Sequence, residues 1–290
     1  HEACLLSEEG HELSLHGYNH RSLLGEPLNG TDPNFWLKKD KGQSRTGSFE
    51  TMRSSVEAAR ARWILDGLGP LPKTYVAPNN KIDGKGLQAL REAFPEIRIL
   101  ASDITIPFEK GGRLEYGDDP LSPHFFDIPR WTSGYFDTDT VRLTAVSQLA
   151  QFGVWSHFVH PDDLFDPGRN PGEAEWNEMY AELNNLLNWN RAEYPWLEWI
   201  STEKAAKRIE QAIDGKVVWE YDRKESALTA YFSGSPPYLW FRSAENKILD
   251  RVNLTGAEVL YSKENEETGG SLYVLRCYEN TVTIPCRNID

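Results

Sequence analysis

The sequence predicts an α/β protein in which a partial or distorted (β/α) barrel over residues 1–215 is followed by a small antiparallel β-sandwich over residues 216–290. Two observations carry this prediction. As far as residue 215, helical patterns alternate with short apolar runs, which is typical of parallel strands joined by crossover helices. From Lys216 onward the chain consists of short β-branched and aromatic runs separated by Gly, Pro and Asn, which is typical of antiparallel sheets.

Apolar spacing and Gly or Pro breakers define the elements of the first domain. The first clear helix is indicated by Met52, Val56, Ala59, Trp63 and Ile64, which recur at helical spacing. Clusters of Gly and Pro end the helices, and short buried runs between them read as strands. In chain order, the predicted helices are residues 49–68, 84–94, 138–152, 173–189 and 201–213, and the predicted strands are residues 74–77, 97–101 and 154–159.

The predicted second domain contains six short β-branched and aromatic segments, the first "KVVWEYD" and the last "TVTIPC", each of which is predicted to be a strand. Trp219, Tyr238 and Trp240 could hold a carbohydrate there, although a structural appendage is the more frequent role of such a module. Cys277 and Cys286 flank one run, so they either pair across a hairpin or remain buried thiols.

Composition narrows the classes of partner. The formal charge of -13 argues against nucleic acid and anionic membrane surfaces, because both require basic patches. It fits a neutral or cationic polymer, or it serves solubility alone. The ten Trp and twelve Tyr either stack on sugar faces or fill cores. No apolar run reaches the length of about 18 residues that a membrane span requires, so none is expected in this chain.

The segment Gly10-His11-Glu12-Leu13-Ser14-Leu15-His16-Gly17-Tyr18-Asn19-His20 carries the strongest chemical signal. If the last four residues turn helically, His16 and His20 lie on one face and both rings reach one ion. Two solvated or core histidines are the alternative interpretation.

In its context, "EEGHELSLHGYNH" resembles the second motif of the NodB-type polysaccharide deacetylases. The chain as a whole resembles the divergent exopolysaccharide-deacetylase branch of that superfamily more than its peptidoglycan or chitin branch. In this family a Gly-His-Glu lead-in precedes two histidines that bind a divalent metal. By that resemblance His16 and His20 are the metal ligands, the metal is expected to be Zn²⁺, and His11 is a lead-in residue.

Three later segments resemble further motifs of the family in the correct order, over about residues 1–210. "TYVAPNN" resembles the third motif, which forms a wall of the groove, although Asn79 and Asn80 replace its usual aromatic-Gly pair. "ILASDITIP" is similar to the fourth motif, and Asp103 matches the residue that orients a catalytic group. "GVWSHFVHPDD" resembles the fifth motif, in which His160 would be the general acid. In a strand, His157 would face the opposite side.

The resemblance implies a metal-dependent hydrolase that removes N-acetyl groups from a hexosamine-containing polysaccharide, outside the cell or at its surface. The metal would activate water and His160 would protonate the leaving amine. Arg130 or a backbone N–H would stabilise the oxyanion. The other residues expected to contact the substrate are Tyr18, Asn79, Asn80 and Trp131.

One feature departs from the family. Its first motif, a strand ending in Thr-Phe-Asp-Asp, has no counterpart before His16. The first six residues look like the interior of a helix, so the chain is expected to be a fragment with little activity of its own. A non-catalytic carbohydrate-binding relative is the main alternative. A glycoside hydrolase ranks last, because no pair among Asp162, Asp163 and Glu173 stands out as its two facing carboxylates.

Overall fold

The computed structural model describes residues 2–20, 22–24, 48–101, 104–106, 115–170, 172–234, 238–244, 247–264 and 270–288. The chain divides into two compact units. One comprises His1–Leu186 with Ile200–Ala206, and the other comprises Leu187–Trp199 with Lys207–Asp290. Every strand from residue 217 onward belongs to the second unit, and the domain boundary predicted after residue 215 stays a prediction.

The predicted helices are present with slightly different bounds. Side-chain oxygens of Ser48, Asp83 and Thr138 accept backbone N–H groups and thereby fix three of the helix starts. The α-helices of the described residues are α1 (Glu2–Glu8), α2 (Phe49–Leu65), α3 (Gly84–Ala93), α4 (Asp139–Phe152), α5 (Trp176–Glu193) and α6 (Thr202–Asp214). None of them is long and apolar enough to cross a membrane.

The first unit contains short strands that pair mainly in parallel. Its strands are β1 (Thr74–Tyr75), β2 (Lys81–Asp83), β3 (Ile99–Leu100), β4 (Ile104–Ile106), β5 (Gly117–Asp118), β6 (Phe126–Asp127), β7 (Thr132–Ser133) and β8 (His157–Phe158). β1, β3 and β6 are parallel neighbours with β5 antiparallel at the edge, and β2–β4 and β7–β8 are parallel pairs. The α/β class is therefore confirmed. The described strands do not close into a ring, so the deacetylase-type barrel stays a prediction.

Parallel pairing positions the segments that follow the strands. Leu15 makes a parallel bridge to Tyr75, which extends the sheet by one position beyond β1. Because parallel strands end at one edge of a sheet, the residues after Leu15, β1, β3 and β6 leave from the same edge. His16 is the first residue after that bridge, and Arg130 follows β6 by three residues.

The core of the first unit holds α2 and α3 against this sheet. Met52 and Val56 of α2 contribute to the same buried cluster as Leu87 and Leu90 of α3 and Tyr75 of β1. Such buried side chains provide most of the stability of short helices.

Gly86 is the position where α3 comes closest to the chain after the histidine segment. A Cβ at Gly86 would lie 2.1 Å from the Leu23 carbonyl oxygen and 2.9 Å from Ile82 Cγ1, whereas a Cβ at Gly84 would find nothing nearer than Leu121 Cδ1 at 4.0 Å. We expect Gly86→Ala to lower the free energy of unfolding by about 1–3 kcal/mol, because the backbone must move.

Urea denaturation of the two variants measures this effect. Gly84→Ala is the matched control and should leave the midpoint unchanged or raise it slightly. Equal midpoints for the two variants would contradict the close packing at Gly86.

The second unit contains the antiparallel strands predicted from the change in sequence texture. Its strands are β9 (Val217–Asp222), β10 (Ala227–Phe232), β11 (Tyr238–Arg242), β12 (Lys247–Leu249), β13 (Ala257–Glu264), β14 (Ser271–Cys277) and β15 (Thr281–Asn288). They form one sheet in the order β12-β15-β10-β9 and another in the order β11-β14-β13. Ala230 and Val282 of the first sheet share a core with Leu275 of the second.

Both cysteines of this core region are free thiols, so the hairpin disulfide that the sequence allowed is absent. Cys277 is buried and Cys286 is half-buried. Burial raises the pKa of the Cys277 thiol to about 11, which makes it unreactive at neutral pH.

Candidate metal centre

His16 is held at the edge of the sheet by backbone pairing on either side of Leu15. The Leu15 N–H donates to the Thr74 carbonyl and the Leu15 carbonyl accepts from the Val76 N–H. His16 Nδ1 lies 2.9 Å from the Val76 carbonyl oxygen. A carbonyl can only accept, so Nδ1 carries the proton and the Nε2 lone pair is left for a ligand. Metal-binding histidines usually make such a bond through their other nitrogen.

The turn from His16 to His20 differs from the sequence prediction. The condition was that these residues turn helically, but Gly17, Asn19 and His20 have φ values of 74°, 52° and 53°. The left-handed region is unfavourable for the two residues that carry a Cβ, and such strain is concentrated at functional sites. The turn still brings the two imidazole rings together, with their centroids 4.9 Å apart and their planes at 74°.

This ring separation fits a shared metal ion. Nitrogen ligands lie about 2.0–2.1 Å from zinc at tetrahedral angles, so two imidazoles on one ion have centroids about 5 Å apart. Burial lowers the pKa of His20, and the neighbouring His16 lowers it further. Neutral imidazoles are the form that binds a divalent cation. The donor types, the spacing of the rings and the bond to Val76 therefore all fit Zn²⁺.

His160 follows β8 and stands at the start of a 3₁₀ helix, Pro161–Phe165. Arg169 Nη1 donates to His160 Nδ1 and also lies 2.6 Å from Asp163 Oδ1. Because Nδ1 accepts from the guanidinium, the hydrogen of the neutral ring is on Nε2. Burial is the main cause that lowers the pKa of His160, and Arg169 adds to it.

His157 is engaged elsewhere. Its Nδ1 lies 2.8 Å from Thr132 Oγ1 and its Nε2 lies 2.8 Å from the Gly134 carbonyl oxygen, both on or beside β7. Burial lowers the pKa of this ring. His157 thus links β8 to β7, and both of its nitrogens are used.

Electrostatic contacts connect the end of β8 with the histidine pair. Burial and His16 are the two largest causes that lower the pKa of His20. His160 lowers this pKa further, and Asp162 raises it. Arg130 lies over the Phe158 ring with its guanidinium carbon 4.1 Å from the centroid, and its charge also lowers the pKa of His160. The structure therefore brings His16, His20, His160 and Arg130 into one neighbourhood, with Asp162 beside them.

Among the described residues, His160, Asp162 and Asp163 form the one group of three whose possible ligand atoms all lie within 4.8 Å of one another. Arg169 already places a cation between His160 and Asp163, so a metal ion there would have to displace it. Arg169 and the role of Asp163 were not predicted from the sequence. Asp163 stands three residues after His160, a spacing that signals a capping contact, and its carboxylate faces the His160 backbone N–H at 3.4 Å.

The remaining predicted site residues are distributed as follows. Asp103 lies outside the described residues. Asn79 and the half-buried Asn80 belong to a 3₁₀ turn after β1, Pro78–Asn80, in which Asn80 has a φ of 58°. Trp131 stacks on Phe152 of α4 with ring centroids 6.4 Å apart. The roles predicted for these residues stay predictions.

Tyr18 lines an open cavity of about 450 Å³ beside the histidine turn. The cavity lies between this turn and the first three turns of α2, and its other lining residues are Asn19, Glu50, Thr51, Ser54, Ser55 and Ala58. One exposed aromatic ring surrounded by hydroxyl, amide and carboxylate groups is suited to a sugar, which offers both an apolar face and hydroxyl groups.

Sequence comparison gives the family of the chain. Residues 3–266 match a family described as "Uncharacterised protein conserved in bacteria (DUF2194)". The chain belongs to the DUF2194 family. No curated protein has a matching sequence. The DUF2194 description names no activity.

Proposed function

We propose that this protein is a metal-dependent hydrolase that removes N-acetyl groups from a hexosamine-containing polysaccharide outside the cell or at its surface. The same proposal takes the first unit to be a distorted (β/α) barrel of the polysaccharide-deacetylase type. The observation that carries it is the convergence of the His16–His20 pair and His160 where parallel strands end. Catalytic groups of (β/α) barrels lie at that edge.

His16, through Nε2, and His20 would hold Zn²⁺. When bound, the ion polarises the amide carbonyl and lowers the pKa of a water molecule. The Val76 carbonyl fixes the His16 tautomer. The Arg130 guanidinium, placed over Phe158, supplies positive charge for the developing oxyanion.

His160 would protonate the leaving amine. Its Nδ1 is held by Arg169, which directs Nε2–H away from the Arg169–Asp163 pair. When the ring is protonated, Nδ1 becomes a donor, so Arg169 has to release it, and Asp163 Oδ1, 3.6 Å away, is the nearby acceptor and counter-charge. Donation from Nε2 then returns the ring to its neutral form.

The cavity beside Tyr18 would bind a sugar unit of the polymer, and Glu50 provides a sharp test. We expect Glu50→Gln to raise KM for N-acetylglucosamine oligomers roughly 10-fold, because hydrogen bonds to a charged group are worth about 1.5–3 kcal/mol. Steady-state kinetics would show kcat nearly unchanged.

Glu57→Gln is the matched control for this substitution. Glu57 lies on the same helix, carries the same charge and pairs with the same Arg53, but it does not line the cavity. Equal effects of the two substitutions on KM would contradict sugar binding in the cavity.

The proposed reaction is tested by acetate release. The protein should release acetate from N-acetylglucosamine oligomers, a chelator should abolish the release, and added Zn²⁺ should restore it. Acetate release that survives chelation would contradict the proposal. Sugar binding without acetate release would favour a carbohydrate-binding protein, and new reducing ends would favour a glycoside hydrolase.

A further inference from the structure

We propose that the protein forms a homodimer through β9, which pairs antiparallel with β9 of a second copy of this chain so that the two Trp219 residues lie opposite each other. The inference concerns the second unit alone. It is independent of the proposed metal site, and its experiments do not use the acetate assay, so either proposal can fail without the other.

β9 is an edge strand whose apolar face is bare. Among the described strands it pairs with β10 alone, and all six of its residues are exposed. Cross-strand partners share a face of a sheet, and the β10 partners of Val217, Trp219 and Tyr221 belong to the core of the second unit or pack against it. The core-facing side of β10 thus continues onto β9, where these three side chains are 43%, 46% and 56% exposed. An apolar face at a sheet edge is typical of an interface.

The backbone of β9 offers a row of hydrogen-bonding groups along the same edge. The Ser233 N–H donates to the Lys216 carbonyl, so Lys216 and every second residue after it bond to β10. The N–H and C=O groups of Val217, Trp219 and Tyr221 therefore point away from β10, where no described strand pairs with them. The same three residues present both the bare side chains and the backbone groups that an added strand requires.

A second copy of β9 fits this edge because the sequence of the strand is complementary to itself. In an antiparallel pair, outward-pointing residues lie opposite one another, and placing Trp219 opposite Trp219 pairs all six residues of β9. Val217 then lies opposite Tyr221 of the second copy on the bare face. On the other face Lys216 lies opposite Asp222 of the second copy, and the twofold symmetry forms this pair of opposite charges twice.

The neighbouring registers are less favourable. A shift of two residues in one direction places Glu220 opposite Glu220 of the second copy, so that like charges meet. A shift of two residues in the other direction leaves Tyr221 opposite Gly215, which precedes the strand. A shift of one residue would place the apolar face of one copy beside the polar face of the other. The proposed register is the one in which backbone groups, apolar side chains and charges all match.

The molar mass in solution, measured by light scattering after size exclusion over a series of concentrations, tests the inference. The wild type should reach twice the 33.1 kDa of one chain. Trp219→Lys should weaken dimerisation by about 100-fold or more, because it removes the central aromatic pair and places two ammonium groups opposite each other. Lys216→Glu should weaken it by about 10-fold, because both ion pairs become repulsive.

Trp199→Lys is the matched control, because Trp199 is 57% exposed but lies outside β9. It should dimerise like the wild type. A monomeric wild type would overturn the proposal. So would a Trp219→Lys variant that dimerises like the wild type, or an equal loss of the dimer in Trp219→Lys and Trp199→Lys.

Cysteine cross-linking tests the register without adding a charge. Residues of a hydrogen-bonded antiparallel pair have Cα atoms about 5.5 Å apart, which a disulfide can span. In a background with Cys4→Ser and Cys286→Ser, the remaining native Cys277 is buried, and Trp219→Cys should give a disulfide-linked dimer on mild oxidation.

Tyr221→Cys in the same background is the control for the cross-link. Tyr221 lies on the same face and is exposed, but its counterpart in the second copy would be four residues away along the strand, or roughly 13 Å. It should cross-link far less than Trp219→Cys. Equal cross-linking of the two variants, or none with Trp219→Cys, would overturn the proposed pairing.

Discussion

Replacing His16 or His20 by alanine should lower kcat/KM for acetate release on the order of 10³-fold or more. Loss of one ligand removes both the Lewis acid and the activated water, and each tenfold loss corresponds to about 1.4 kcal/mol of transition-state stabilisation. Both rings are at least partly exposed, so the fold should survive either substitution. Initial rates at a fixed Zn²⁺ concentration, together with the zinc content of each variant, measure the effect.

His11→Ala is the control for these two variants. His11 belongs to the same segment and is exposed, but it precedes the strand bridge at Leu15 and has no assigned ligand role. Its rate and zinc content should match the wild type. Unchanged acetate release after replacement of both His16 and His20 would refute the metal mechanism.

Replacing His160 by alanine should lower acetate release from N-acetylated oligomers by about 10²–10⁴-fold, as expected when a general acid is lost. The same variant should hydrolyse p-nitrophenyl acetate at nearly the wild-type rate, because a phenolate leaves without being protonated. The contrast between the two substrates distinguishes a proton donor from a residue that merely shapes the site.

Zinc content decides between the two roles that His160 could have. If His160 is the acid, His160→Ala retains the ion. Loss of zinc together with loss of activity towards both substrates would make His160 a ligand and would contradict the assignment made here. The bond from Arg169 to His160 Nδ1 leaves the hydrogen of the neutral ring on Nε2, which argues against a ligand role through Nε2.

Much of the fold was predictable, because the helices of the first unit carry regular apolar spacing. Trp63 is 7% exposed, as expected for a residue on the apolar face of α2. Ile64 was predicted to lie on the same apolar face but is 58% exposed, because it follows Trp63 directly and therefore points to the solvent-facing side of α2. The strands of the first unit are shorter than their apolar runs, since only two or three residues of each are paired.

The site was predictable in part. Spacing and the Gly-His-Glu lead-in predict His16 and His20 as a pair. Gly17 and Asn19 tolerate the left-handed backbone, but no local signal indicates it at His20. The contact between Arg169 and His160 spans a loop, and loop geometry is set by tertiary packing rather than by residue spacing.

The most direct test of the metal centre is a crystal structure of the chain with Zn²⁺, with anomalous scattering recorded at the zinc absorption edge. The proposed site predicts one strong anomalous peak about 2.0–2.1 Å from Nε2 of His16 and from one ring nitrogen of His20. A peak between His160 and Asp163 with Arg169 displaced, or no peak near His16 and His20 at saturating zinc, would contradict it.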